Sequence, residues 1–280
     1  MTRYATLRLA RKIIIGTILV IALLVVAFPL YWMVRTSISE ISEMFRYPPL
    51  FLPRSFTTEH FTSLFSLTKF LTYYMNSLIV AGASSLIVIT ISTFGAYSLS
   101  RFKYRGRVAF LQSTLLLYMI PPVVLSLPYY SLLRSFHLLN TRFALVVAYI
   151  SLSLPFSLYL LYGFYNGIPI QLEEAAMIDG ASRLRALISV VIPQAFPGII
   201  TIAIFSFVLG WNDYLYAFVL VSSDTKRTLP VGVSMFFEAT TIQWGLLMAA
   251  CVVILVPIIA MFAFMQKHLV AGYGAGAIKG

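Results

Sequence analysis

The sequence predicts an all-α integral membrane protein with six transmembrane helices, and three observations carry that prediction. Apolar residues make up 60% of the chain and charged residues 10%, against roughly 45–50% and about 25% in soluble domains. The mean hydropathy is +0.91. The apolar residues are gathered into runs of the length a spanning helix needs, about 20 residues at about 1.5 Å each. A water-soluble fold cannot hide that much apolar surface, so part of the solvent must be lipid.

Six stretches meet the criterion: 13–34, 74–99, 108–130, 143–165, 197–221 and 245–265. The first follows Arg3, Arg8, Arg11 and Lys12 and so begins like a signal peptide. Its apolar run is about twice too long and no small-x-small cleavage site follows, which makes a retained anchor the better reading. The second and sixth are uninterrupted by acidic or basic residues over their length. Pro121, Pro122 and Pro128 interrupt the third and Pro155 the fourth. Prolines are tolerated in membrane helices where neighbours or water satisfy the freed carbonyls, and they mark kinks. The fifth carries Asp213, the only acidic residue within a predicted span.

Lysine and arginine in short loops set the orientation. Four precede the first span, and Arg101, Lys103, Arg105 and Arg107 crowd the turn between the second and third. On the opposite side, Arg35, Arg46, Arg54 and Lys69 are diluted along 35–73 and offset by Glu40, Glu43 and Glu59. Both termini are therefore expected in the cytoplasm, with 100–107 and 166–196 facing inward and 35–73, 131–142 and 222–244 outward. The net charge of +11 reads as this loop bias rather than as a nucleic-acid surface, since no zinc-finger spacing and no basic helix with interleaved aromatics is present. No internal repeat of the kind common in secondary transporters is found, which suggests a half-pore that needs a partner.

The inward segment 166–196 is long for a connector, and its composition is that of a helix, a turn and a second helix. Pro169 suits a helix start, and Glu173 and Glu174 lie near it, where the helix dipole favours negative charge. Leu172, Ala175 and Ala176 fall at helical spacing, with alanines thinning one face. Asp179-Gly180 is a turn signal, with Gly180 able to adopt the left-handed conformation that ends a helix. Ser182 is placed to cap the next helix, and Pro193 and Pro197 to stop it. So short a first helix is unstable alone in water and needs something to dock against.

The run Glu174-Ala175-Ala176, then Asp179-Gly180, then Ile192-Pro193, resembles the EAA loop of permease subunits in binding-protein-dependent ABC importers. One departure is Leu187, where an aromatic is often found. The resemblance covers nearly the whole chain and is closest to the maltose-type carbohydrate permeases. It extends through Asn76-Ser77-Leu78 with Ala96-Tyr97-Ser98-Leu99-Ser100-Arg101, Leu138-Leu139-Asn140-Thr141, Trp211-Asn212-Asp213-Tyr214, Thr228-Leu229-Pro230-Val231-Gly232, and the tail 266–280 ending Gly276-Ala277-Ile278-Lys279-Gly280.

The resemblance implies a type I ABC importer permease fold, one domain over 1–280, with 166–196 as a cytoplasmic coupling loop and 266–280 as a cytoplasmic tail that reaches toward the ATPases or frays. It implies a sugar import system in a bacterial or archaeal cytoplasmic membrane. The partners would be a second permease subunit, two ATPase subunits that bind ATP and Mg, and an extracytoplasmic sugar-binding protein. Glu174, Ala175, Ala176, Asp179, Gly180 and Pro193 are the implied ATPase-coupling residues. Trp211, Asn212, Asp213 and Asn76 are candidates for the substrate path, with Tyr118 and Asn140 less directly indicated. Aromatic faces stack on sugars and amides bond hydroxyls, but a hydrogen-bonded helix break at 211–213 is an equally open reading.

No Gly-x-x-x-x-Gly-Lys-Ser/Thr motif is present, so no ATP site is expected on this chain. Neither nucleophile–base spacing nor metal-ligand spacing argues for an enzyme or a bound metal or cofactor. The single cysteine, Cys251, excludes an intramolecular disulfide. His60, His137 and His268 are far apart and read as interfacial polar residues. Two alternatives are kept: an importer permease for a non-sugar solute, and an ion-coupled transporter, which a single buried acid and the lack of a repeat disfavour.

Overall fold

The computed structural model describes residues 2–238 and 243–276, with side chains over 11–236 and 243–266. Among the described residues the regular secondary structure is helical, apart from one isolated antiparallel bridge between Ser39 and Phe56. Four helices are long and apolar enough to cross a membrane. They lie in α1 (Thr2–Ser37), α4 (Phe70–Arg101), α7 (Arg142–Asn166) and α14 (Trp244–Gly276). Two bent pairs complete a count of up to six spans. α5 (Arg107–Tyr118) meets α6 (Pro122–Ser135) at 101°. The helical run Arg183–Gln194 meets α11 (Phe196–Asn212) at 77°.

The bends have identifiable causes. Pro121 is extended, at φ −56° and ψ 131°, and Pro122 occupies the first turn of α6. A proline removes a helical N–H and its ring disfavours helix at the residue before it, so two in succession end one helix and begin the next. Pro193 and Pro197 flank the second bend. Pro29, Pro128, Pro155 and Pro257 lie inside continuous helices. The predicted fifth span of 197–221 is not one helix. It breaks after Asn212 and resumes as α12 (Leu215–Leu220).

By its internal contacts the chain divides into two compact units, Met1–Thr68 with Phe236–Leu255, and Lys69–Met235 with Val256–Gly280. In the first, α1 buries none of its spanning window. α2 (Ile41–Met44) and α3 (Glu59–Leu67) follow it. The Glu43 carboxylate accepts the Arg54 N–H at 3.0 and 3.2 Å, and the His60 ring bonds the Ser39 carbonyl at 2.9 Å.

The second unit is a bundle of α4, α7 and α11, with α5 against α7. On α4 the buried residues Phe70, Tyr73, Ser77, Val80, Ala81, Ser84, Ser85, Val88, Ser92, Ala96 and Tyr97 recur every three or four positions, tracing one face. That face is rich in small residues because helices in lipid associate by close packing and polar contacts rather than by a hydrophobic drive. Ser206 of α11 donates to Ser85 Oγ at 2.9 Å, and Ser85 donates to the Ala203 carbonyl at 3.1 Å. At Gly210 a Cβ would stand 2.9 Å from the Tyr149 ring and 3.3 Å from the Ala81 backbone. Glycine there allows α11 to approach both α7 and α4. Replacing Gly210 with leucine should overpack this crossing and cost about 1–3 kcal/mol, read as a lowered thermal midpoint of the detergent-solubilised protein.

Candidate functional site

Two places in the second unit gather the residues singled out from sequence, and a third fastens a loop. The first lies where α4 ends. α8 (Ile170–Ile178) begins after Pro169 and closes through Asp179 and Gly180, the latter at φ +91°. α9 (Arg183–Ala186) is capped by Ser182 Oγ, which accepts the Arg185 N–H at 3.3 Å. It continues as a π-helical turn, Leu187–Val191, and α10 (Ile192–Gln194). Leu187, which stands in place of an aromatic, is buried with Tyr97, Tyr165, Ile168 and Val191.

Of the nine residues of α8, Glu173 alone is buried. Its carboxylate pairs with the Arg101 guanidinium, their side chains 3% and 7% exposed. It also accepts the Tyr97 hydroxyl at 3.0 Å. Arg101 donates a further bond to the Ile168 carbonyl at 3.0 Å. Each charge also suits its helix end, the arginine in the last turn of α4 and the glutamate in the first turn of α8. Arg183 of α9 stands over the Phe102 ring at 4.9 Å, and Phe102 meets Tyr97 edge-on at 6.2 Å. The start of α8 and the start of α9 are thus both held at 97–102. Removing one member of a buried pair leaves an uncompensated charge, at a cost of about 3–5 kcal/mol.

Much of the rest of α8 and α9 is exposed. Glu174, Ala175, Asp179, Gly180 and Pro193 are exposed and Ala176 is half-buried. Ile178 is 86% exposed, and Ile170, Leu184 and Ile188 are also exposed. Sequence reasoning singled out Glu174 and passed over Glu173 and Arg101 as site residues. The available signal was opposite charge: an arginine at the end of the second span and an acid at the start of a loop helix expected on the same side.

The second place is a cavity of about 610 Å³ at the helix breaks, lined by Tyr118, Pro122, Tyr129, Ser151, Pro155, Asn212, Asp213 and Tyr216 among others. Tyr118 stacks on Phe156 at 5.8 Å, and Tyr129 donates to Ser151 Oγ. Tyr216 donates to the Pro122 carbonyl at 2.8 Å, joining one break to the other. Asp213 lies in the break itself. Its Oδ2 accepts the Ala217 N–H at 3.1 Å and the Tyr149 hydroxyl at 2.9 Å, which satisfies the start of α12 as an N-cap would. Asn212 is exposed toward the cavity. Trp211 is not in its lining: it is 1% exposed, stacked on Phe207 at 5.6 Å and edge-on to Tyr74 at 5.4 Å.

Asn76, expected beside them, lies elsewhere. Its buried amide donates to the Thr225 and Arg227 carbonyls at 2.9 and 2.8 Å. Around it, Ser77 Oγ accepts the Leu229 N–H at 2.8 Å, and Asp224 pairs with Lys69 and accepts the Tyr73 hydroxyl at 2.6 Å. Asn140, in the left-handed region at φ 57°, accepts the Ser223 N–H at 2.8 Å and, through its carbonyl, the Lys226 ammonium at 2.9 Å. Both asparagines fasten the segment before α13 (Leu229–Glu238). The tail expected over 266–280 is helical to Gly276 as the end of α14, and 277–280 lie outside the described residues. Among the described residues no three histidine, cysteine, aspartate or glutamate side chains gather as metal ligands.

Four helices long and apolar enough to cross a membrane, with two bent pairs that can add two more spans, fit a multi-pass membrane protein. The family model for the binding-protein-dependent transport system inner membrane component matches residues 89–274, and the chain belongs to that family of ABC transporter permease subunits. It is 33% identical over 264 residues to the inner membrane ABC transporter permease protein YcjP of Escherichia coli, covering 94% of each chain. It is 34% identical over 271 residues to the trehalose/maltose transport system permease protein MalG of Thermococcus litoralis, covering 96% of each. It superposes with a TM-score of 0.76 and 25% identity on a chain of a bacterial ABC transporter involved in import of the acidic polysaccharide alginate, covering 91% of this chain and 95% of that one.

Two outcomes are expected of the fastened segment. Asn76→Ala strands two carbonyls and should cost about 1–3 kcal/mol, read as a lower thermal midpoint with faster proteolysis near 225–227. The Lys69 hydrogen bond, then that of Tyr73, holds the Asp224 carboxyl below its ordinary value. The contribution is therefore complete above the ordinary carboxylate range and lost as pH falls through the lowered value. Asp224→Asn should flatten that acid-side dependence in a pH series of melting curves.

Proposed function

We propose that this chain is the permease subunit of an ATP-driven sugar importer, forming half of its translocation pathway and coupled to ATPase subunits through α8. The observation that carries the reading is the free face of the helix pair: Ile178, Glu174 and Gly180 are exposed on a rod about 14 Å long whose opposite side is anchored by a buried charge. A short helix with bare apolar side chains in water needs a groove to receive it. The relatives whose names state a solute, among them the trehalose/maltose and diacetylchitobiose permeases, support sugar as cargo.

In this reading both termini and 166–196 face the cytoplasm, with the basic turn at 101–107 on the same side. A second permease completes the pathway, two ATPase subunits bind ATP and Mg, and an extracytoplasmic binding protein delivers the sugar. Closure of the ATPases draws the paired coupling helices together and tilts the spans from inward-open to outward-open. The coupling is the difference in nucleotide affinity between those two states. The cavity at the breaks, with Tyr118, Asn212 and Asp213 at its wall, is the segment of the path this subunit supplies. Trp211 supports that wall from behind rather than facing the sugar.

Glu174→Lys and Gly180→Leu should lower solute moved per ATP by roughly tenfold, the scale of one charge-assisted contact, in vesicles where the chain still inserts. Wild-type transport by both would remove α8 as the coupling element. Stimulation of ATP hydrolysis by a panel of sugars, amino acids and metal ions in the reconstituted complex identifies the cargo, and a response to a non-sugar alone would redirect that part of the reading.

A further inference from the structure

We propose that Arg101 and Glu173 form the joint by which displacement of α8 moves α4, making α4 the rod that carries nucleotide-driven motion to the segment 224–229. The proposal rests on the docking reading above and adds the route inside the chain.

Three observations carry it. First, α8 has one buried side chain, Glu173, and its ionic partner is the last residue of α4. Apolar contacts allow sliding, whereas charge-assisted hydrogen bonds are directional and roughly twice as strong as neutral ones. Arg101 also holds the Ile168 carbonyl at 3.0 Å, so its guanidinium binds both the helix and the strand of chain leading into it. Arg183 over Phe102 adds a second hold from α9 at the adjacent residue. Secondly, α4 is a single helix of 32 residues, about 48 Å long. It is unbroken by proline, unlike the two bent pairs. Thirdly, the other end of α4 is fastened in the same directional manner: Lys69 and Tyr73 to Asp224, Asn76 to the Thr225 and Arg227 carbonyls, and Ser77 to the Leu229 N–H. A continuous helix pinned at both ends by polar bonds moves both pins together. The segments on α5–α6 and on Arg183–Asn212 bend between their ends and dissipate such motion. Arg101 and Glu173 are positioning residues: they touch neither nucleotide nor cargo.

The test places a fluorophore at the exposed Ser222 through Ser222→Cys in a Cys251→Ala background, in the complex purified with its native partners, and reads the change in emission on adding Mg-ATP. The starting chain should show a change. Glu174→Lys should abolish it, and Glu173→Gln should reduce it roughly tenfold, each normalised to assembled complex. A full-sized change in Glu173→Gln beside its loss in Glu174→Lys overturns the joint and leaves α8 docking intact. A full-sized change in both overturns docking as well. Should Glu173→Gln not assemble, Arg101→Lys is read in the same way. Lysine keeps the charge but cannot hold both Glu173 and Ile168 in the same fork, so a reduced response supports the joint. Fewer complexes that each respond fully would mean a purely structural pair and overturn it.

Discussion

The structure of the second unit turns on one buried ion pair. Charges placed in a low-dielectric interior are costly unless matched, and Glu173 and Arg101 are matched by each other, by the Tyr97 hydroxyl and by the Ile168 carbonyl. Because this pair occupies the inner side of α8, the neighbouring Glu174 is turned outward. The same constraint therefore decides which of two adjacent acids belongs to the fold and which to the surface. Leu187, Val191 and Tyr165 close apolar packing around the site, which limits water and keeps the pair from loosening.

Much of this was legible in sequence because it is local. Apolar runs mark the helices, Pro121-Pro122 marks the first bend, Gly180 marks a left-handed turn and Ser182 a cap. Each depends on a few neighbouring residues, and each lies where local chemistry places it. What sequence did not reveal depends on distant partners. Arg101 and Glu173 are 72 residues apart, and Asn76 meets carbonyls 149 and 151 residues away. Adjacent helix positions differ by about 100°, so the choice between Glu173 and Glu174 required knowing which side of α8 meets the bundle.

The break after Asn212 is one of the two readings that the motif leaves open. No proline lies there, and the polar pair Asn212-Asp213 is what interrupts the apolar run. The helix ends because Asp213 satisfies the amides of α12 while receiving the Tyr149 hydroxyl, an arrangement that only the tertiary structure supplies. Asn212 and Asp213 line the cavity, and the same aspartate caps the start of α12. Non-helical backbone at such depth is tolerated where protein or a cavity satisfies its polar groups.

α1 stands apart, since its spanning window buries nothing within the chain. Its partition into lipid is driven chiefly by its own side chains, and later residues meet it only near its end, where Tyr31 and Trp32 contact Phe51. It is therefore suited to leave the translocation channel on its own during synthesis. The basic residues ahead of it, Arg3, Arg8, Arg11 and Lys12, favour keeping that end on the side where it was made.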